Sequence, residues 1–293
     1  MDRGESIAHN TSSEILKNSA MSFEDAGILC SGSSGWGFEA LAEHLAQVLS
    51  VPVVHHPAKF NYVLAYDELD KIGENAWFIP YEGIHIASDK RQVARRFHTA
   101  KVSSPQTLLC ADIESAQQKV LQDPSRRWCL KYPTSTGATG HRLFNAGTNI
   151  PTDWPLPIVL QEFIALARPE VYRTYCAGGE FFGWVVRRHP DVNSKDPWVA
   201  HARGAQYCDC GDIPKKAVNV ATDALRATGL LQSFGCVDLL FSPSQGWVVL
   251  EVGTDGIFNH VDRDLGIPHL EHEIDLRLAD AFWHRVRALG TTL

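Results

Sequence analysis

The sequence predicts an α+β protein: a small α/β layer, then two antiparallel sheets with flanking helices. Three observations predict it. Residues 26–65 run strand, loop, helix, strand, strand. Residues 88–160 alternate helix and strand and include a hairpin across a loop of small residues. The remainder carries two long hairpins with turn signals at Gly178-Gly179 and Pro243–Gly246, a helix between them and a helix at the end. A chain of 293 residues is too long for one minimal core and suits two or three packed subdomains. The expected division is a lead-in over 1–22, an α/β domain over 23–87, a central subdomain over 88–160 and a C-terminal subdomain over 161–293.

The elements follow in order. AGILCSG is a short apolar strand closing on glycine, and FEALAEHLAQVLS has its apolar residues at helical spacing. VPVVHH and NYVLAY read as strands. The loop SGSSGWGF between the first strand and helix is either a ligand cradle at a helix N-terminus or a tight turn. SDKRQVARRFHTA is a helix with Ser88 as its N-cap candidate, SSPQTLLC a loop and strand, and DIESAQQKVLQD a helix. RWCLKYP and HRLFN are antiparallel partners. LPIVLQEFI, EVYRTYCAGG and EFFGWVVRR are strands, and KKAVNVATDALRATG is a helix ending on glycine. FGCVDLLFSPSQGWVVLEVG is a hairpin and LEHEIDLRLADAFWHRVRALG a helix.

Composition narrows the function classes. Hydrophobic residues make up 44% and charged residues 21%, as in ordinary soluble domains. The formal net charge of −7 argues against a general nucleic-acid binder. No apolar run reaches the roughly 18–20 residues a membrane helix needs, and the first residues lack a secretory signal's apolar core. The seven cysteines are odd in number and most sit in apolar runs, so reduced thiols in a cytoplasmic protein are expected. Cys208-Asp209-Cys210 has no second pair at zinc-ligand spacing.

The chemistry concentrates in two places. LKYPTSTGATGHRLF sets Lys131 at a strand end before a small, hydroxyl-rich loop. Lysine is a compact point charge. Gly137 and Gly140 let backbone N–H groups approach anionic oxygens, and Ser135, Thr136 and Thr139 add donors. This suits a polyphosphate, although a surface hairpin uses many of the same residues. The second place is the last hairpin. Asp238 and Glu251 lie thirteen residues apart across its turn, so they can face each other. Burying two like charges unpaired costs several kcal/mol, by rough estimate. A bound Mg²⁺ would remove that cost; pairing with nearby arginines is the alternative.

These pieces, in this order, resemble the ATP-grasp superfamily of glutathione synthetase-like, D-alanine–D-alanine ligase-like and RimK-like carboxylate–amine ligases. The resemblance spans roughly residues 85–262. It implies that Lys90 and Lys131 contact ATP phosphates, with Ser135, Thr136, Gly137, Thr139 and Gly140 in a mobile lid over 134–141. It implies that Gln161, Glu162, Phe163 and Ile164 form the hinge holding adenine and that Glu170 takes the ribose hydroxyls. Arg173 and Arg188 match the hairpin arginines, with Arg188 favoured for stabilising a transferring phosphoryl group, and Arg203 matches a substrate or phosphate loop. Asp238 and Glu251 match the magnesium ligands, for Mg²⁺ or Mn²⁺. One position departs. Family members usually carry asparagine two residues after the metal-binding glutamate, and here Gly253 stands instead, with Asp255 or Asn259 as possible substitutes.

The activity implied is ATP-dependent carboxylate–amine (or carboxylate–thiol) ligation through an acyl phosphate, releasing ADP and phosphate. A nucleotide-binding regulatory protein with a disabled site and a same-fold phosphotransferase are the alternatives. The expected partners are small-molecule or peptide carboxylates and amines, without nucleic acid or membrane, and the resemblance makes a homodimer plausible. A first domain of only about 65 residues would leave the acceptor site open to a peptide.

Overall fold

The computed structural model describes residues 25–31, 38–66, 68, 77–135, 137–145, 147–191, 193–194, 196–254, 260–266 and 270–290. The chain divides into two compact units, residues 1–76 with 282–293, and residues 77–281. The expected lead-in and the glycine-rich loop at 32–37 lie outside the described residues.

The first unit is a parallel three-stranded sheet. It contains β1 (Ala26–Cys30), α1 (Phe38–Leu49), β2 (Val53–Val54) and β3 (Phe60–Ala65), with strand order β2-β1-β3. The helical spacing of α1 buries Ala42, Leu45 and Leu49. Ile28, Leu29, Phe60 and Tyr62 complete this core. The unit's C-terminal segment adds Phe282, whose ring meets Phe60 at 5.1 Å, and Trp283, whose Nε1–H donates to the Leu49 carbonyl at 3.0 Å.

The second unit begins with two helices, α2 (Tyr81–Ser88) and α3 (Lys90–Ala100). The expected N-cap, Ser88, instead ends α2, and Asp89 caps α3 by accepting from the Arg91 N–H at 2.8 Å. The sequence conceals α2 because it is short and carries Gly83. A Cβ there would lie 2.7 Å from Leu230 Cδ2, so the glycine serves close packing.

A four-stranded antiparallel sheet follows, ordered β4-β7-β5-β6. Its elements are β4 (Thr107–Cys110), α4 (Ile113–Gln122), β5 (Trp128–Lys131), β6 (Arg142–Phe144) and β7 (Ile158–Glu162). Asp112 and Ser115 close α4 with a reciprocal capping box. Trp128 and Leu130 of β5, with Ile158 and Leu160 of β7, enter a core shared with Ala116, Val120, Phe144 and Trp154. Strand alternation sends Cys129, Lys131 and Gln161 to the opposite face. The expected boundary at 160/161 falls inside β7.

The second sheet is five-stranded and antiparallel, ordered β10-β9-β8-β11-β12. It comprises β8 (Val171–Ala177), β9 (Glu180–Arg188), β10 (Gln206–Asp209), β11 (Phe234–Ser242) and β12 (Gly246–Gly253). Helices α5 (Lys215–Ala227), α6 (His260–Leu265) and α7 (Leu270–Gly290) complete the described elements. Both predicted hairpins form. Neither β10 nor α6 is legible in the sequence: β10 is a four-residue edge strand reading QYCD, and α6 has only six residues.

Gly183 is the bulged residue of the β8–β9 ladder, where the register shifts between Thr174 and Tyr175. Its φ is +60°, and a Cβ there would lie 2.5 Å from Leu270 Cδ1. Left-handed strain and overpacking act together. Gly183→Ala is expected to destabilise the protein by about 2–4 kcal/mol and lower Tm by roughly 5–15 °C in calorimetry.

Candidate functional site

A cavity of about 730 Å³ opens between the two sheets of the second unit. Each sheet turns its polar face toward it, as a consequence of the period-two alternation that buries the other face in the core.

From the four-stranded sheet comes Lys131, 9% exposed at the end of β5. Burial pushes its ammonium below the usual lysine range, the nearby charge of Lys90 adds to this, and Glu251 opposes it. Lys90, the first residue of α3, reaches the loop after β5: its Nζ donates to the Ser135 carbonyl at 2.5 Å, and its backbone N–H donates to the Pro133 carbonyl at 3.0 Å. Thr134, Ser135, Gly137, Ala138 and His141 of this loop line the cavity; Thr139 and Gly140 do not, and Thr136 lies outside the described residues. Gly137 has φ +60°, and a Cβ there would come within 3.1 Å of the Ala202 Cβ. A bulkier residue would push the loop away from the opposite wall.

Gln161, Glu162, Phe163 and Ile164 also line the cavity. Gln161 Nε2 donates to Thr107 Oγ1 at 2.9 Å. The Glu162 N–H donates to the Gln106 carbonyl and the Phe163 N–H to the Arg127 carbonyl, both at 2.8 Å. Arg127 also stacks its guanidinium 4.9 Å from the centre of the Phe163 ring. Trp198 meets Phe163 and His141 edge-on, at 5.5 and 5.6 Å between ring centres.

The five-stranded sheet contributes its charges through the register. Asp238 sits opposite Glu251 on β12, as the hairpin predicted, and opposite Arg173 on β8. Asp238 is 6% exposed. Its Oδ1 accepts from Arg173 Nε at 2.7 Å, and its Oδ2 accepts from Arg173 Nη2 at 3.0 Å and Arg187 Nη2 at 2.9 Å. Burial alone would raise this carboxyl's pKa. The two guanidinium groups overcome that and hold it far below the usual carboxylate range. Arg187 is fixed further by donating to Tyr207 Oη at 3.0 Å and to the Val199 carbonyl at 3.1 Å. Glu251 is more exposed and lies 3.3 Å from Lys90 Nζ.

Arg188 and Arg203, expected at the site, are not among the cavity-lining residues. Arg188 Nε lies 2.8 Å from Glu170 Oε1, as an ion pair whose angle is too bent for a hydrogen bond. The bulge at Gly183 explains the exchange. An unbroken ladder from the Gly178–Gly179 turn would set Arg188 on the Arg173 face, but the extra residue pairs Arg173 with Val185 and brings Arg187 there instead. Arg203 pairs with Asp196 at 3.2 Å. Glu170 does line the cavity, and it accepts from the Tyr172 hydroxyl at 2.7 Å.

Arg187, Tyr207 and Trp198 line the cavity and were concealed in the sequence, whereas His141 falls in the expected 134–141 lid. Alternation along β9 would have found Arg187 had the bulge been legible, and Tyr207 lies on the unpredicted β10. No local signal marks Trp198.

The residues present do not fit a two-carboxylate cation site. Asp238 is committed to two arginines, and Gly253 offers no side-chain donor atom. Asp255 and Asn259 lie outside the described residues. Among the described residues no three His, Cys, Asp or Glu side chains gather as a cation site.

His141 reports on the burial and charge of the cavity together. Burial first, then the like charges of Lys131 and Lys90, push its imidazole down to about 3. In the unfolded chain it titrates near 6.5, so its contribution to stability is full above about pH 6.5 and fades as pH falls toward the folded value. In proton NMR, the His141 ring signal is expected to show no titration down to about pH 5, well below the unfolded value. A bound anion is expected to move its pKa upward.

No family model matches the chain, and no characterised protein matches it by sequence. Solved structures do. The D-alanine–D-alanine ligase of Bacillus anthracis is 12% identical with a TM-score of 0.62, over 92% of this chain and 99% of that one. The D-cycloserine synthetase DcsG is 13% identical with a TM-score of 0.60, over 89% and 99%. The ATP-grasp ligase PsnB, complexed with a phosphomimetic variant of minimal precursor, Mg and ADP, is 11% identical with a TM-score of 0.60, over 90% and 99%. The chain has the ATP-grasp fold.

Proposed function

We propose that this chain is an ATP-dependent carboxylate–amine ligase that forms an amide bond through an acyl phosphate. The observation that carries the reading is the lining of the cavity. The segment 161–164, the rings of Phe163 and Trp198, the cations Lys90, Lys131, Arg173 and Arg187, and residues of the loop after β5 all face one cavity. That distribution suits a nucleotide with its base against Phe163 and Trp198 and its phosphates among the cations.

In this reading the Glu162 and Phe163 N–H groups are already bonded, so the N–H of Ile164 reads the edge of the base. Glu170 takes the ribose hydroxyls. Lys90, Lys131, Ser135, Thr136 and the Gly137 backbone hold the phosphates. A substrate carboxylate oxygen attacks the γ-phosphorus, the bond to the ADP oxygen breaks, and an acyl phosphate forms. An amine then attacks the acyl carbon and phosphate leaves, with the amine proton released to solvent. The arginines neutralise the oxygens that gain charge, and the 134–141 loop keeps water from the acyl phosphate. The carboxylate and amine are small molecules or a peptide. The pairing of Asp238 with two arginines and the glycine at 253 favour one competing reading, a protein that binds nucleotide without turnover.

The test is ADP release against pools of amino acids, small carboxylates and peptides, with hydroxylamine present to trap acyl phosphates. A hydroxamate formed with ADP supports ligation. A stable phosphorylated product points to a phosphotransferase, and nucleotide binding without turnover points to the regulatory reading. Lys131→Met is expected to lower turnover by about 100-fold or more, because a phosphate-facing charge is lost from a dry site.

A further inference from the structure

We infer that Asp238 is the anchor of an arginine pair and not a cation ligand, so that this face of the cavity meets its anion with Arg173 and Arg187. The inference deepens the nucleotide reading and rests on it only for the identity of the anion.

Three observations carry it. Both Asp238 oxygens are engaged, one by Arg173 Nε and the other by Arg173 Nη2 and Arg187 Nη2, at 2.7, 3.0 and 2.9 Å. The arginines come from different strands, β8 and β9, and meet on Asp238 only because the Gly183 bulge brings Arg187 into phase. Arg187 is held on its remaining sides by Tyr207 and Val199. A cation at Asp238 would sit against two guanidinium groups, whose like charge opposes it, and these groups have no other carboxylate within this set. The cluster carries two positive charges to one negative and faces the cavity. An oxyanion, phosphoryl or carboxylate, is the ligand class it fits.

The two roles predict opposite signs in metal-free protein. A buried carboxylate facing Glu251 as an empty cation ligand is relieved by neutralisation, so Asp238→Asn in EDTA would leave Tm unchanged or raise it. An arginine anchor is missed, and Tm is expected to fall by about 10 °C. Should Asp238→Asn fail to fold, Arg187→Gln keeps Arg173 on Asp238 and is expected to lower Tm by about 5 °C in EDTA; an unchanged Tm there overturns the inference. Calorimetric titration with ADP supplies the functional readout. The expected result is an affinity in EDTA within roughly threefold of that in Mg²⁺, weakened by Arg187→Gln equally in both. An affinity that rises tenfold or more with Mg²⁺, with that gain lost in Asp238→Asn, overturns the inference. If ADP fails to bind in either buffer while Tm falls as expected, the anchor role stands and the nucleotide reading does not.

Discussion

Buried charge constrains the second unit more than any other feature. Asp238, Arg173 and Arg187 sit at the centre of a five-stranded sheet, and none could remain there ionised alone. Their mutual bonds require β8, β9 and β11 to keep one register. The Gly-Gly turn, the bulge at Gly183 and the close packing of Leu270 on that bulge serve the same register. Removing Asp238 leaves both arginines without their carboxylate, and removing either arginine leaves a single pair, so the network ties the fold of the sheet to the charge of the cavity.

The same alternation that builds the core builds the site. On β5, Trp128 and Leu130 enter the apolar cluster while Cys129 and Lys131 face the cavity. A strand whose alternate residues have different duties cannot slip by one position without exposing its core and burying its charge. The lysine's position therefore follows from hydrophobic packing on the far side of the sheet. Lys90 reaches the same region from a different element, and its bond to the Ser135 carbonyl joins the loop after β5 to the start of α3.

Much of this was legible in the sequence because it depends on local period and turn chemistry. The two hairpins and the facing of Asp238 and Glu251 follow from alternation around a turn. The placement of Lys131 at a strand end before a glycine-bearing loop is visible in the same way. What stayed hidden depends on structure that is not local. One bulged glycine changes which of two adjacent arginines faces the cavity. The pairing state of Asp238 depends on three strands at once. Strand β10 is short, polar and at a sheet edge, so its Tyr207 could not be placed beside Arg187. Helix α2 is masked by a glycine whose role is tertiary packing.

The central claim is that a nucleotide lies between the two sheets, its base at the hinge and its phosphates beneath the loop after β5. Hydrogen exchange of the full chain with and without a non-hydrolysable ATP analogue addresses it most directly. The account predicts slowed exchange at the Ile164 amide and across residues 134–141, with little change in β1 to β3. Unchanged exchange in both places under saturating analogue, or protection confined to the first unit, would contradict it.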